Sequence, residues 1–146
     1  MNRYCLDTSA YSQFKRGNEL VVGLIDSAEW IGVPSVVIGE LLTGFFQGDR
    51  GGHGKRGDKG GHGDRCERNE SELAGFLSNP VVEELRVDHT VARLYAEIVI
   101  SLRSRGTPLP TNDIWIGACA VRSGSTVLTF DEHFRSIERV GALVLG

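Results

Sequence analysis

Apolar and polar positions along this chain switch between a strand period and a helix period. "RYCLD" reads as a short strand closed by Asp7, and "TSAYSQFKRG" turns into a helix of mixed polarity. "NELVVGLIDSA" carries the helical pattern from Asn18 to Ala28. "WIGV" reads as a second strand, broken at Pro34-Ser35, with Ser35 placed to cap the helix "VVIGELLTGFFQ". "NESELAGFLSNP" is a helix stopped near Pro80, and "VEELRVD" is a third strand. Asp88 then caps "HTVARLYAEIVISLRSRG", where Val91, Leu94, Tyr95, Ile98 and Leu102 recur at helical spacing and Arg103, Arg105 and Gly106 mark the end. "NDIWIGACAVRSG" is a further helix ending at Gly124, "TVLTF" a strand, "EHFRSIE" a short helical turn and "ALVL" a last strand. Strands alternating with helices predict an α/β sandwich around a mostly parallel sheet. In such sheets, sites form beyond the carboxyl ends of the strands.

One stretch interrupts the pattern. "GDRGGHGKR" and "GDKGGHGDR" are tandem nonapeptides identical at seven of nine positions, and neither holds a large apolar residue. They offer nothing to a core, and they lack the inward-packing apolar residue of calcium-binding nonapeptide rolls. The expectation is a flexible glycine-rich insertion at about 48–65, looping out of a single domain that spans 1–146.

Composition narrows the class. A chain of 146 residues suffices for one domain with a substantial core. The apolar runs are far shorter than a membrane span, and "MNRYCLDTSAY" lacks the basic-then-apolar start of a secretory signal. No membrane association and a cytoplasmic location are expected. Cys5 and Cys119 sit in apolar runs and Cys66 in a polar loop, an odd and scattered set that argues against a disulfide framework. The net charge of −3 advertises no polyanion binding, although acids that hold cations present positive charge locally.

Four acids stand in awkward places. Asp7 closes the first strand, with the hydroxyls of Thr8 and Ser9 beside it, and Asp131 follows the strand "TVLTF", with Thr129 two positions earlier on the same side. Each also suits a helix cap. Glu40 lies inside a helix whose residues 36, 37, 38, 41, 42, 45 and 46 are all apolar. Gly39 and Gly44 flank it at a cost of roughly 1 kcal/mol each relative to alanine, which suggests room left beside the carboxylate. Asp113 begins an apolar helix, where the dipole favours an acid, and Gly117 one turn later keeps its face small. Four carboxylates brought together repel unless protonated or bridged by cations. Hard divalent ions take all-oxygen sites of this kind, and no Cys/His set competes.

The order Asp7, Glu40, Asp113, Asp131, carried in "LDTS", "VVIGELLTGF", "NDIWIGACA" and "TFDEHF", resembles the acidic quartet of PIN-domain ribonucleases, and more closely the VapC toxins of bacterial type II toxin–antitoxin systems. The resemblance runs from Tyr4 to Leu145 except across the glycine repeat. It implies a PIN-like three-layer α/β/α sandwich. It implies catalytic and metal-ligating roles for Asp7, Glu40, Asp113 and Asp131, supported by Thr8, Ser9, Asn112 and Thr129. The implied cofactor is Mg²⁺ or Mn²⁺, one or two ions. One cation would activate a water for in-line attack on an RNA phosphodiester, and a second would stabilise the departing oxygen. The implied partners are an RNA substrate, a cognate VapB-type antitoxin and a second copy of the chain in a homodimer.

Other features weigh less. The mixed-charge segment 49–68, with Arg50, Lys55, Arg56, Lys59, Arg65 and Arg68 against Asp49, Asp58, Asp64 and Glu67, is a candidate phosphate contact. His53, His62 and Cys66 match no established zinc spacing. His133 is a candidate substrate contact, with solvent exposure as its ordinary role, while Trp115 and Phe134 read as core and Trp30 as packing beside the second strand. Two rival functions are a haloacid-dehalogenase-like phosphohydrolase and a catalytically silent PIN-like binding module. The first wants a second Asp where this chain has Ser9, and the second an incomplete quartet.

Overall fold

The computed structural model describes residues 2–51 and 59–146. Five strands form one sheet: β1 (Arg3–Leu6), β2 (Trp30–Pro34), β3 (Val82–Leu85), β4 (Thr126–Thr129) and β5 (Ala142–Val144). Their order is β3-β2-β1-β4-β5 and every neighbouring pair is parallel. The central strands are buried on both faces, as parallel strands under helices must be: Cys5, Leu6, Ile31, Val33, Val127 and Leu128 have no exposed surface.

Six helices connect the strands: α1 (Thr8–Lys15), α2 (Glu19–Asp26), α3 (Ser35–Gly51), α4 (Lys59–Leu77), α5 (His89–Ser104) and α6 (Thr111–Ser123). A 3₁₀ turn at Glu132–Ser136 links β4 to β5. α1 stops at Gly17, whose φ of 82° breaks the helix before Asn18 caps α2. α6 is the most enclosed, with Ile114, Ile116, Gly117, Ala118, Cys119 and Ala120 all buried, which explains why its sequence is apolar on nearly every side. Its Trp115 stacks on Tyr95 of α5 at 3.8 Å between ring centroids. Phe134 is wholly buried, and Trp30 packs under the Arg3 guanidinium at the start of β2.

The break at Pro34-Ser35 holds, with Pro34 itself the last residue of β2, a strand end where proline is tolerated. Several expectations are corrected. Ser35 does not act as the expected cap: its hydroxyl donates to Glu84 and to the Leu85 carbonyl, tying the start of α3 to β3. The glycine repeat is not a loop throughout. α3 extends to Gly51 and α4 begins at Lys59, so Arg65, Cys66 and Arg68 lie on a helix. His53, Lys55 and Arg56 lie outside the described residues. Among the described residues no helix is long and apolar enough to cross a membrane.

Candidate active site

From β1 the chain moves outward through β2 and β3, then returns to build β4 and β5 on the other side of β1. The crevice beyond the carboxyl ends of β1 and β4 is therefore the switch point of the sheet. Asp7 follows β1, and Thr129 ends β4 with Asp131 two residues on. α3, leaving β2, carries Glu40, and the first turn of α6 carries Asn112 and Asp113. A cleft of about 320 Å³ at this point is lined by Asp7, Thr8, Ser9, Glu40, Asp113, Ile116 and Asp131. A larger cavity of about 460 Å³, between β3 and the far end of α6, contains none of the four acids and none of the groups that orient them.

Asp7 is 5% exposed and almost fully engaged. Oδ1 accepts from the Ser9 hydroxyl at 2.7 Å and the Ala10 amide at 2.9 Å, and Oδ2 from the Thr129 hydroxyl at 2.5 Å. A carboxylate has about four acceptor positions, so one stays open on Oδ2. Ser9 and Thr129 are themselves fixed, because Ser9 accepts the Phe130 amide and Thr129 accepts the Asp131 amide. The α1 cap and the cluster are thus one arrangement, and the same holds for Asp131, which accepts the His133 amide at 2.9 Å.

Glu40 is oriented through both oxygens, by the Thr8 hydroxyl and by the Asn112 side-chain amide, the latter at 2.9 Å. Asp113 Oδ2 lies 2.9 Å from His133 Nδ1, which is also 3.2 Å from Asp131 Oδ1. Burial raises the Asp7 carboxyl above its usual range against the pull of its hydrogen bonds, and the Asp113 charge adds to that rise. Burial likewise raises Asp113, assisted by Asp131 and Glu40, while His133 opposes it. The contact with Asp113 raises the His133 imidazole. Four carboxylates from separate segments therefore line one small cleft, and their oxygens are the donors a hard dication takes. Among the described residues, the acids and imidazoles whose ligand atoms all fall within 4.8 Å of one another are Asp113, Asp131 and His133, a group that does not include Asp7 or Glu40.

The reasons for the flanking glycines divide. A β-carbon on Gly39 or Gly44 would meet nothing within 4 Å, so the surface beside Glu40 is open as expected. At Gly117 it would lie 3.1 Å from Ile137 and 3.3 Å from Val140. Gly117 thus admits the segment after the 3₁₀ turn rather than clearing space for Asp113. His133 is the residue that sequence reasoning undervalued. Its side chain is 47% exposed, yet it bridges two of the acids. Its spacing two residues after Asp131, at the start of a tight turn, was the available signal.

The pattern of the PIN domain family matches residues 4–140, and the chain belongs to that family. Within it, the chain is similar to ribonuclease VapC4 of Mycobacterium tuberculosis, with 28% identity over 117 residues covering 80% of this chain and 78% of that protein. It is similar also to ribonuclease VapC5 of the same organism, with 26% identity covering 91% and 86%. Among solved structures it is similar to a chain of VapBC2 from Rickettsia felis bound to a promoter DNA fragment, with a TM-score of 0.77, 20% identity and 99% of both chains covered. DNA-bound VapBC from Salmonella typhimurium gives a TM-score of 0.76 at 22% identity, covering 99% and 98%. At these identities the structural likeness establishes the α/β/α fold, whose sheet and helices match those described above.

Proposed function

We propose that this chain is a VapC-type endoribonuclease toxin, a single PIN-like domain that hydrolyses RNA phosphodiester bonds with Mg²⁺ or Mn²⁺ and is neutralised by a cognate VapB-type antitoxin. The observation that carries the reading is convergence: Asp7, Glu40, Asp113 and Asp131, separated by up to 124 positions in the sequence, line one cleft at the switch point. Similarity to two VapC ribonucleases and to chains of VapBC complexes supports both the activity and the partner. The complete quartet disfavours a silent module. Ser9, which hydrogen-bonds Asp7 where a phosphohydrolase would place its second Asp, disfavours the other rival.

In this reading a bound dication supplies Lewis acidity, activating water and offsetting charge on the phosphate and leaving oxygen. The chain supplies placement. Asp7 presents its open Oδ2 position into the cleft because Thr129, Ser9 and the α1 amide fix the rest of the carboxylate. Thr8 and Asn112 hold Glu40 opposite, and the N-terminal turn of α6 presents Asp113. Such positioning matters because phosphoryl transfer needs in-line geometry more than covalent participation. Products carry 5′-phosphate and 3′-hydroxyl ends. For the antitoxin, a groove of about 290 Å³ with a mixed lining, Phe45 beside Lys15, Arg16 and Glu72, lies next in sequence to the exposed Phe46. The same reading includes a homodimer.

The test is cleavage of mixed RNAs by wild type, Asp7→Asn and Asp113→Asn, with Mg²⁺ or Mn²⁺ and with EDTA. Metal-dependent cutting that both substitutions abolish, in variants with native circular dichroism, is expected. Cutting that persists in EDTA overturns the reading.

A further inference from the structure

Beside the cleft, an imidazole nitrogen touches two of the four acids. His133 Nδ1 lies 2.9 Å from Asp113 Oδ2 and 3.2 Å from Asp131 Oδ1, and the three donor atoms all fall within 4.8 Å of one another. In an octahedral shell with bonds of about 2.1 Å, adjacent donors stand about 3.0 Å apart and opposite ones about 4.2 Å. The observed separations fit neighbouring corners of such a shell. The position is fixed by the backbone: the His133 amide donates to Asp131 Oδ1, and the next residue, Phe134, is wholly buried and pins the 3₁₀ turn. An exposed imidazole held only by solvent would have no such constraint.

We propose that His133 is a nitrogen ligand of the bound dication and biases this site towards Mn²⁺ over Mg²⁺. The inference rests on the metal-dependent reading above and deepens it. Imidazole nitrogen suits transition-metal dications, whereas Mg²⁺ is served by oxygen donors and keeps its waters. A neutral imidazole with its hydrogen on Nε2 would present the Nδ1 lone pair beside Asp113 Oδ2 and Asp131 Oδ1. Asp113 and Asp131 would hold the cation through the same oxygens that now contact the imidazole. No bond within the protein changes order.

The experiment is pulsed electron paramagnetic resonance of the protein loaded with Mn²⁺ alone, joined to calorimetry with Mn²⁺ and Mg²⁺. Wild type is expected to show ¹⁴N coupling to Mn²⁺. The pattern should change to that of ¹⁵N in protein labelled at histidine, which requires no variant to fold. A variant with His53, His62 and His89 all changed to Gln should retain the coupling, and His133→Gln should lose it. His133→Gln is also expected to weaken Mn²⁺ binding by about tenfold or more while leaving Mg²⁺ within about twofold. Mn²⁺ binding without histidine nitrogen coupling in wild type, or equal weakening of both metals in His133→Gln, overturns the proposal and leaves the metal-dependent reading standing. Absence of any Mn²⁺ or Mg²⁺ binding by wild type overturns that reading itself.

Discussion

The Thr129 hydroxyl donates to Asp7 Oδ2 at 2.5 Å while accepting the Asp131 amide at 2.9 Å, so one side chain joins the ends of β1 and β4 and sets two acids at once. Thr129 has no exposed surface, and its role there is orientation. Replacement by Val keeps the volume and removes the bond. Thr129→Val is expected to weaken dication binding and cleavage by about 10- to 100-fold, with Thr129→Ser restoring most of both. Calorimetry alongside single-turnover kinetics checks this; full activity in Thr129→Val would assign the contact to packing alone.

Gly32 illustrates a constraint on the fold rather than the site. A β-carbon there would come within 2.4 Å of the Trp30 ring and 2.7 Å of Leu85, in the middle of β2. The ring has little freedom to yield, since Arg3 covers it and its indole N–H donates to Glu83. Gly32→Ala is expected to destabilise the protein by about 1–3 kcal/mol and to shift tryptophan fluorescence. RNA cleavage at low temperature should be unchanged, because neither Gly32 nor the Trp30 and Leu85 side chains it would meet line the cleft. Urea unfolding measures the first effect.

Tyr11 gives a pH signature. It is 2% exposed, and its hydroxyl has no hydrogen-bond partner among the described residues. Burial, with a contribution from Glu72, pushes its ionisation up to about 12. Because the folded-state value lies above the unfolded one, the native protein binds the extra proton between roughly pH 10 and 12. The stability present below pH 10 is therefore lost as pH rises through that window. Absorbance titration should show Tyr11 ionising late. Tyr11→Phe should remove that late step and leave stability at neutral pH equal or slightly higher, since an unsatisfied buried hydroxyl is being deleted.

The sequence made much of the fold legible because period and punctuation agree: Asp88 caps α5, Gly124 ends α6 at a φ of 65°, and apolar runs mark the buried strands. Each acid has an ordinary explanation alone, Asp113 at a dipole-favoured helix start and Glu40 on a solvated face, and only the set of four in one chain points to a shared site. What escaped depends on distant partners. Ser35 reads as a cap because caps are local, whereas its hydroxyl donates to β3, some fifty residues away. Gly117 reads as space beside Asp113, but the atoms it admits belong to Ile137 and Val140. His133 reads as a solvated side chain; its contact with Asp131 is local, and only the approach of α6 to the 3₁₀ turn adds Asp113 as a second carboxylate neighbour. Cys66 reads as a loop residue because low apolar content hides a helix that begins in glycine-rich sequence.

Removing the metal should also register in stability. A ligand that binds only the folded state stabilises it by about 2.7 kcal/mol at one hundred times its Kd, and here it would also offset the charge of buried Asp7 and half-buried Asp113, each with an ionisation raised in part by an acidic neighbour. Dialysis against EDTA is expected to lower the thermal midpoint and Mn²⁺ to restore it, whereas Asp7→Asn should blunt the response. An identical midpoint with and without dication would count against a shared ion.

Anomalous diffraction from crystals grown with Mn²⁺ tests the central claim most directly. A peak within the cleft, bonded at about 2.1 Å to oxygens of Asp7 and Asp113, is the predicted result. Carboxylates individually hydrated in that crystal, with no anomalous peak between them, would contradict it.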